Sequence, residues 1–133
     1  MPNRVVIDTN LLISFLINKS YSRIDHQIKE GSIRLLFSDE LLLEFIEVVN
    51  RPKLKKYFSK SDVDAILSTL NTVADLIQVT HKVDVCRDSK DNFLLALCEA
   101  GKANFLLTGD KDLLTMKKFG VTKILTISEF LNK

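Results

Sequence analysis

Five acids in this chain stand where a carboxylate could do chemistry. Asp8 follows the apolar run Val5-Val6-Ile7, Asp110 and Asp112 follow Asn104-Phe-Leu-Leu-Thr108 after one glycine, and Glu44 and Asp91 fall inside helix-like stretches. With successive residues about 100° apart on a helical wheel, Glu44 lies at the margin of the apolar stripe beside Leu41 and Val48, while Glu40 and Glu47 face outward. Asp91 shares a row with Leu95 and Cys98 in the first turn of a nearly all-apolar helix, and Asn92 and Glu99 share its polar edge. A carboxylate on an apolar face is costly unless the helix N-terminal dipole, backbone amides or a cation offsets it. Each acid has an ordinary local role open to it: a capping box of Asp88 with Asp91, a turn at Asp8, a turn and N-cap pair at Asp110 and Asp112, a half-exposed surface position for Glu44. Their joint occurrence asks for more, because four segments far apart in sequence each direct an acid toward one sheet edge. Clustered carboxylates repel unless a hard cation neutralises them, and oxygen ligands without a Cys/His set favour Mg²⁺ or Mn²⁺ over zinc. Such ions suit phosphodiester hydrolysis, since they lower the pKa of an attacking water and stabilise the leaving oxygen, so that no side-chain nucleophile is needed. Thr9, Asn10 and Thr108 would then orient the carboxylates or the water. His26 and His81 are lone, without metal-site spacing, and read as surface or packing residues.

The elements that position these acids alternate along the chain. Arg4 to Asp8 reads as a buried strand, Leu11 to Ile17 as a helix, and Ser22 to Lys29 as a second helix ended by Gly31. Ile33 to Phe37 is a strand, after which Ser38 caps a helix from Asp39 to about Asn50 that stops before Pro52. Ser61-Asp-Val-Asp64 resembles a capping box opening a helix to Ala74, and Leu76 to Thr80 is strand-like. A helix from Ser89 to Ala100 is closed by Gly101, and strands at Asn104 to Thr108 and Lys123 to Thr126 flank a short helix from Lys111. Ser128 caps a terminal helix. This alternation predicts an α/β sandwich, a parallel sheet covered by helices with right-handed crossovers, in which ligands bind at the carboxyl ends of the strands.

The length, 133 residues and 15.1 kDa, suits one domain over residues 1–133, able to bury roughly two-thirds of its unfolded surface. Hydrophobic residues at 46% and charged residues at 27% exclude disorder, collagen and low-complexity chains. Cys86 and Cys98 cannot form a disulfide framework and read as reduced, so a cytoplasmic location is expected. There is no secretory h-region and no apolar run near the ~20 residues that span a bilayer. A net charge of +2 does not by itself imply a polyanion partner. Even so, Arg51, Lys53, Lys55, Lys56 and Lys60 fall in one acid-free stretch, either a solvated connector or a surface for phosphates, with Tyr57 and Phe58 beside it as candidates for base stacking.

Val-Val-Ile-Asp8-Thr-Asn10, Glu44 on a following helix, Cys86-Arg-Asp-Ser-Lys-Asp91-Asn92, and Leu107-Thr-Gly-Asp110-Lys-Asp112-Leu-Leu together resemble the PIN-domain family. More narrowly they are similar to the VapC-like toxins of toxin–antitoxin pairs, over nearly the whole chain and in order. The resemblance implies a PIN-like three-layer sandwich with a central parallel sheet of about four to five strands covered by helices. It further implies a Mg²⁺- or Mn²⁺-dependent endoribonuclease with Asp8, Glu44, Asp91 and Asp110 as the metal-binding acids, Asp112 being a second candidate for the last role. A homodimer and a small antitoxin that inserts a segment into the acidic groove are the partners it implies.

Two other readings share part of these residues. Asp8-Thr-Asn10 with Gly-Asp110-Lys-Asp112 also resembles a haloacid-dehalogenase-type phosphatase, but there an acid belongs two residues after the first Asp, where this chain has Asn10. A phospho-acceptor receiver domain would need its acceptor Asp at the end of a middle strand, a place nothing here fills. The third alternative is a catalytically silent PIN-like binding or scaffold module, whose signature would be a missing acid.

Overall fold

The computed structural model describes residues 2–18 and 22–132, the side chains of Ser22 and Arg23 excepted. The first half of the chain runs β1 (Asn3–Ile7), α1 (Thr9–Asn18), α2 (Ser22–Glu30), β2 (Ile33–Phe37) and α3 (Asp39–Val49). A 3-10 turn at Pro52–Leu54 leads to α4 (Lys60–Val73) and β3 (Ala74–Leu76). The second half holds α5 (Ser89–Gly101), β4 (Phe105–Leu107), α6 (Lys111–Met116), β5 (Lys118–Phe119), β6 (Thr122–Leu125) and α7 (Ile127–Leu131).

The strands form one sheet in the order β3-β2-β1-β4-β6-β5, parallel throughout except for the β5–β6 pair. The expected parallel sheet is present as five strands, and the two-residue β5 adds a sixth, antiparallel one at the edge. Val5, Val6, Leu106 and Leu107 are fully buried, which is why these central strands read as apolar runs without alternation. From β1 the chain builds outward through β2 and β3, then returns to place β4 on the other side of β1. The order therefore reverses between β1 and β4, the switch point at which open α/β sheets bind ligands. Their register, Ile7 opposite Leu107, sets Asp8 beside Thr108, and the Asp8 amide donates to the Leu107 carbonyl at 3.0 Å.

Successive strand residues face opposite layers. On the Leu36 side lies α5; on the Leu35 side α1, α2 and α4 meet around Leu12, Phe15, Ile28, Phe45, Ile66 and Leu70. No helix among the described residues is long and apolar enough to cross a membrane.

Several local expectations shift when packing is counted. The capping box of α4 is Ser59 with Asp62, two residues before the one expected at Ser61 and Asp64, because Phe58 and Val63 on either side of it are both buried and fix the entry of the chain. The terminal helix is likewise capped by Thr126, in a box with Glu129, and not by Ser128. β3 runs over Ala74–Leu76 and not over the expected Leu76 to Thr80, of which only Leu76 is in the strand; a two-pronged contact of Arg34 with Asp75 at 2.9 and 3.0 Å holds it to β2. Gly31 ends α2 at φ +88° as expected, but Gly101 does not end α5: the left-handed residue is Lys102, at φ 51°. Gly101 is needed for proximity, since a Cβ there would meet Leu36 Cδ1 at 2.9 Å.

Candidate active site

Three loops bring the predicted acids to one groove. Asp8 ends β1 and caps α1: its Oδ1 accepts from the Asn10 amide at 3.0 Å and its carbonyl from Leu12. Asp110 caps α6, accepting from the Asp112 amide at 2.8 Å, and Asp88 caps α5, accepting from the Lys90 amide at 2.9 Å. No reciprocal bond from Asp91 completes a capping box at α5, so the Asp91 carboxylate is left for the groove. The N-termini of α1, α5 and α6 thus border the groove through their capping acids, and their partial positive charge favours anionic side chains there.

Asp8, Asn10, Glu44, Asp91 and Asp110 all line this groove, with Arg51 and Lys90 on its wall. Carboxylate oxygens of Asp91, Asp110 and Asp112 lie within 4.8 Å of one another. Asp91 is 5% exposed, and its carboxyl is pushed up to about 6, first by burial, then by the charges of Asp110 and Asp88, a side-chain hydrogen bond with Asp110, and the charge of Asp8. A buried carboxylate opposed by three others fits a hard divalent cation with oxygen ligands.

Threonine hydroxyls hold this set in place. The Thr108 hydroxyl donates to Asp8 Oδ2 at 2.9 Å and accepts from the Asp110 amide at 3.0 Å, tying the ends of β1 and β4 together. The Thr9 hydroxyl donates to Glu44 Oε1 at 2.5 Å, and Lys90 Nζ lies 3.6 Å from Glu44 Oε2. Glu44 therefore lines the groove, half-buried as its wheel position predicted, but stands outside the tight trio with both oxygens engaged. Asp112 is the exposed member of that trio, 3.4 Å from Arg87 Nη2. Asn10 is exposed, and its contact with Asp8 is made by the backbone amide.

Thr108→Val is nearly isosteric, and it deletes both hydroxyl bonds at a buried position. It is expected to weaken divalent-ion binding about 10- to 100-fold, the usual effect of removing a group that orients a ligand. Titration calorimetry with Mn²⁺ checks this, and an unchanged affinity would mean that Thr108 does not position the acids.

Asn92 departs from expectation. It is buried, not on a polar edge: Oδ1 accepts from the Val85 and Cys86 amides at 3.1 and 2.9 Å, and Nδ2 donates to the Cys86 carbonyl at 3.0 Å. It pins the segment before α5, a role hidden in sequence because Asn is ordinarily read as a turn or surface residue. Cys86 faces the same acids, and burial, then the charges of Asp91, Asp110, Asp112 and Asp88, push its thiol up, so it stays neutral and offers no thiolate. Cys98 is buried in α5, its thiol pushed up to about 12 by burial. His26 and His81 are exposed, His26 beside Glu30 at 3.2 Å.

The basic stretch begins at the groove wall with Arg51, itself 3.2 Å from Glu47, and continues through Lys53, Lys55 and Lys56, all exposed. Lys56 Nζ sits 5.1 Å from the centre of the exposed Tyr57 ring. Phe58 is buried in the core and has no free face for a base.

A family profile described as "PIN domain" matches residues 4–112. An uncharacterized protein of Methanocaldococcus jannaschii, MJ1680, is 35% identical over 117 residues, covering 86% of this chain and 75% of that protein. Among solved structures, the PIN domain endonuclease Utp24 superposes with a TM-score of 0.59 at 19% identity, over 95% of this chain and 86% of the other. VapBC2 from Rickettsia felis, solved bound to a DNA fragment from their promoter, gives 0.57 at 16% identity, over 91% and 98%. At these identities both are likenesses of fold.

Proposed function

The chain belongs to the PIN-domain family, and on that premise we propose that it is a divalent-metal-dependent endoribonuclease, its residues 1–133 acting as one domain. The observation that carries this reading is the buried Asp91, raised toward neutrality among Asp110, Asp88 and Asp8 at the switch point of the sheet. Asp91 and Asp110, with Asp112 on their outer side and Asp8 beside them in the groove, would hold Mg²⁺ or Mn²⁺, and Glu44 is held by Thr9 at the margin. Such an ion, when bound, supplies positive charge that lowers the pKa of an attacking water and offsets charge on the leaving oxygen.

The remaining work belongs to the chain itself. Thr108 and the Asn10 amide fix the two oxygens of Asp8, so the carboxylate keeps one orientation as substrate enters. Asp110 is held by its own cap contact with the Asp112 amide. Lys90 and Arg51 bring cations to the wall, where they meet the phosphates that flank the scissile one. Burial and the neighbouring acids keep the Cys86 thiol neutral, and no histidine lines the groove among the described residues, so neither a thiolate nor a histidine base is offered there. Cleavage by direct water attack leaves no 2′,3′-cyclic phosphate on the fragments. Analysis of fragment ends tests this, and cyclic ends would overturn the reading.

RNA is the proposed substrate, and the proposed setting is the cytoplasm, with the chain acting as the toxin of a toxin–antitoxin pair. A small antitoxin and a second copy of this chain are its proposed partners. The fold shared with VapBC2 supports that role. Arg51, Lys53, Lys55 and Lys56 are proposed to track the RNA backbone away from the groove. Exchanging Lys53, Lys55 and Lys56 for Gln together is expected to flatten the slope of log affinity against log salt by up to about 2, at about 0.7 for each single-strand phosphate that a lysine neutralises. An unchanged slope returns this stretch to a solvated connector.

A further inference from the structure

Of the eight phenylalanines, seven are buried or half-buried, whereas Phe93 is 53% exposed. Its position is specific. Phe93 lies two residues after Asp91 on α5 and lines the acidic groove together with Asp8, Asp91 and Asp110. It also lines a second depression on its other side, with Thr80, His81, Lys82, Asp84 and Ser89. The ring thus forms a ridge between a cluster of carboxylates and a hollow that carries the exposed His81 and Lys82.

The ridge is also rigidly mounted. Asn92, the preceding residue, is bonded three times to the backbone of Val85 and Cys86, and Leu94, the following one, is buried. An aromatic ring exposed on a fixed helix, with Lys90 and Arg51 lining the groove on one side and Lys82 the hollow on the other, has the components of a stacking platform for an unpaired base.

We infer that Phe93 stacks a nucleobase of a single-stranded nucleic acid, adjacent to the phosphodiester held in the acidic groove, with Lys82 beside the next phosphate. This rests on the nuclease reading above. A duplex keeps its base faces stacked on one another, so the platform selects unpaired segments, and it tolerates sequence because every base has a π face.

The chain contains no tryptophan, so Phe93→Trp places a single indole on the ridge. On an Asp8→Asn background, which leaves the substrate intact, titration with a short single-stranded RNA oligomer is expected to quench the indole emission. In the otherwise native chain, Phe93→Ala is expected to raise KM about 5- to 100-fold, the range of one base–aromatic stack, while kcat stays within about twofold. Oligomers with one base removed complete the test: at the stacked position Phe93→Ala costs nothing further, and at the others the penalty persists. Unquenched emission and an unchanged KM, with RNA cleavage intact, would overturn the platform while the nuclease reading stands. A native chain that neither binds nor cleaves the oligomer overturns both.

Discussion

Asp91→Asn is expected to abolish RNA cleavage, lowering kcat/KM by about 10³ or more, beyond the 10²–10³ typical of losing one group that stabilises transition-state charge. The exchange keeps the size of the side chain and removes the one carboxylate that is both buried and ringed by other acids. Asp8→Asn is expected to act alike. Asp8 is aimed by two hydrogen bonds, and its amide counterpart would turn a donor toward either the Thr108 hydroxyl or the Asn10 amide. The fold should survive both exchanges, because the backbone contacts that place the loops, Asp8 to Leu107 and Leu12 to Asp8, do not use the altered atoms. Rates measured on RNA with Mn²⁺, alongside circular dichroism of each variant, check this. A variant that is folded and still cleaves at the native rate would remove that acid from the mechanism.

The second large effect is a reversal of stability by metal. Burial and the neighbouring charges raise the Asp91 carboxyl from 3.8 to about 6, so the folded chain holds that proton more tightly than the unfolded one. The sign follows from linkage: this group costs no stability below pH about 4, the cost grows as pH rises to about 6, and it stays constant above. In chelator at pH 7, Asp91→Asn is therefore expected to be more stable than the native chain by about 1–3 kcal/mol, or several degrees in Tm. Mn²⁺ at about 1,000 times its Kd adds about 4.1 kcal/mol to the native chain and little to the variant, so the order of the two melting temperatures reverses. Thermal melts of both proteins, in EDTA and in Mn²⁺, give the comparison. A native chain that melts above the variant in EDTA, with no further gain from Mn²⁺, would contradict the account of the acidic groove.

Much of this arrangement was legible in sequence because the signals were local. β2 lies at Ile33–Phe37 and Ser38 caps α3, as the apolar run and the residue after it predicted. The groove was legible through chain geometry: Asp8 and Asp110 follow apolar strands that had to be central, and Glu44 and Asp91 sat at the only acidic positions turned toward their helices' apolar sides.

What stayed hidden depends on neighbours distant in sequence. Ser59-x-x-Asp62 and Ser61-x-x-Asp64 are equal as patterns, and only the burial of Phe58 and Val63 chooses between them. Gly101 reads as a helix end until Leu36 is placed against it. Asn92 reads as polar surface until the preceding segment folds over it, and Phe93 reads as core because it stands in an apolar helix. Within the acids, spacing could not show that Glu44 is engaged by Thr9 and Lys90 while Asp112 joins Asp91 and Asp110.

The central claim is that this acidic groove cuts RNA with the help of a divalent ion. The most direct test is to incubate a mixed single-stranded RNA pool with the purified native chain and with Asp8→Asn, each in Mn²⁺ and in EDTA. Fragments from the native chain in Mn²⁺ alone are the predicted result. Equal fragmentation by both proteins, or cleavage that persists in EDTA, would contradict it.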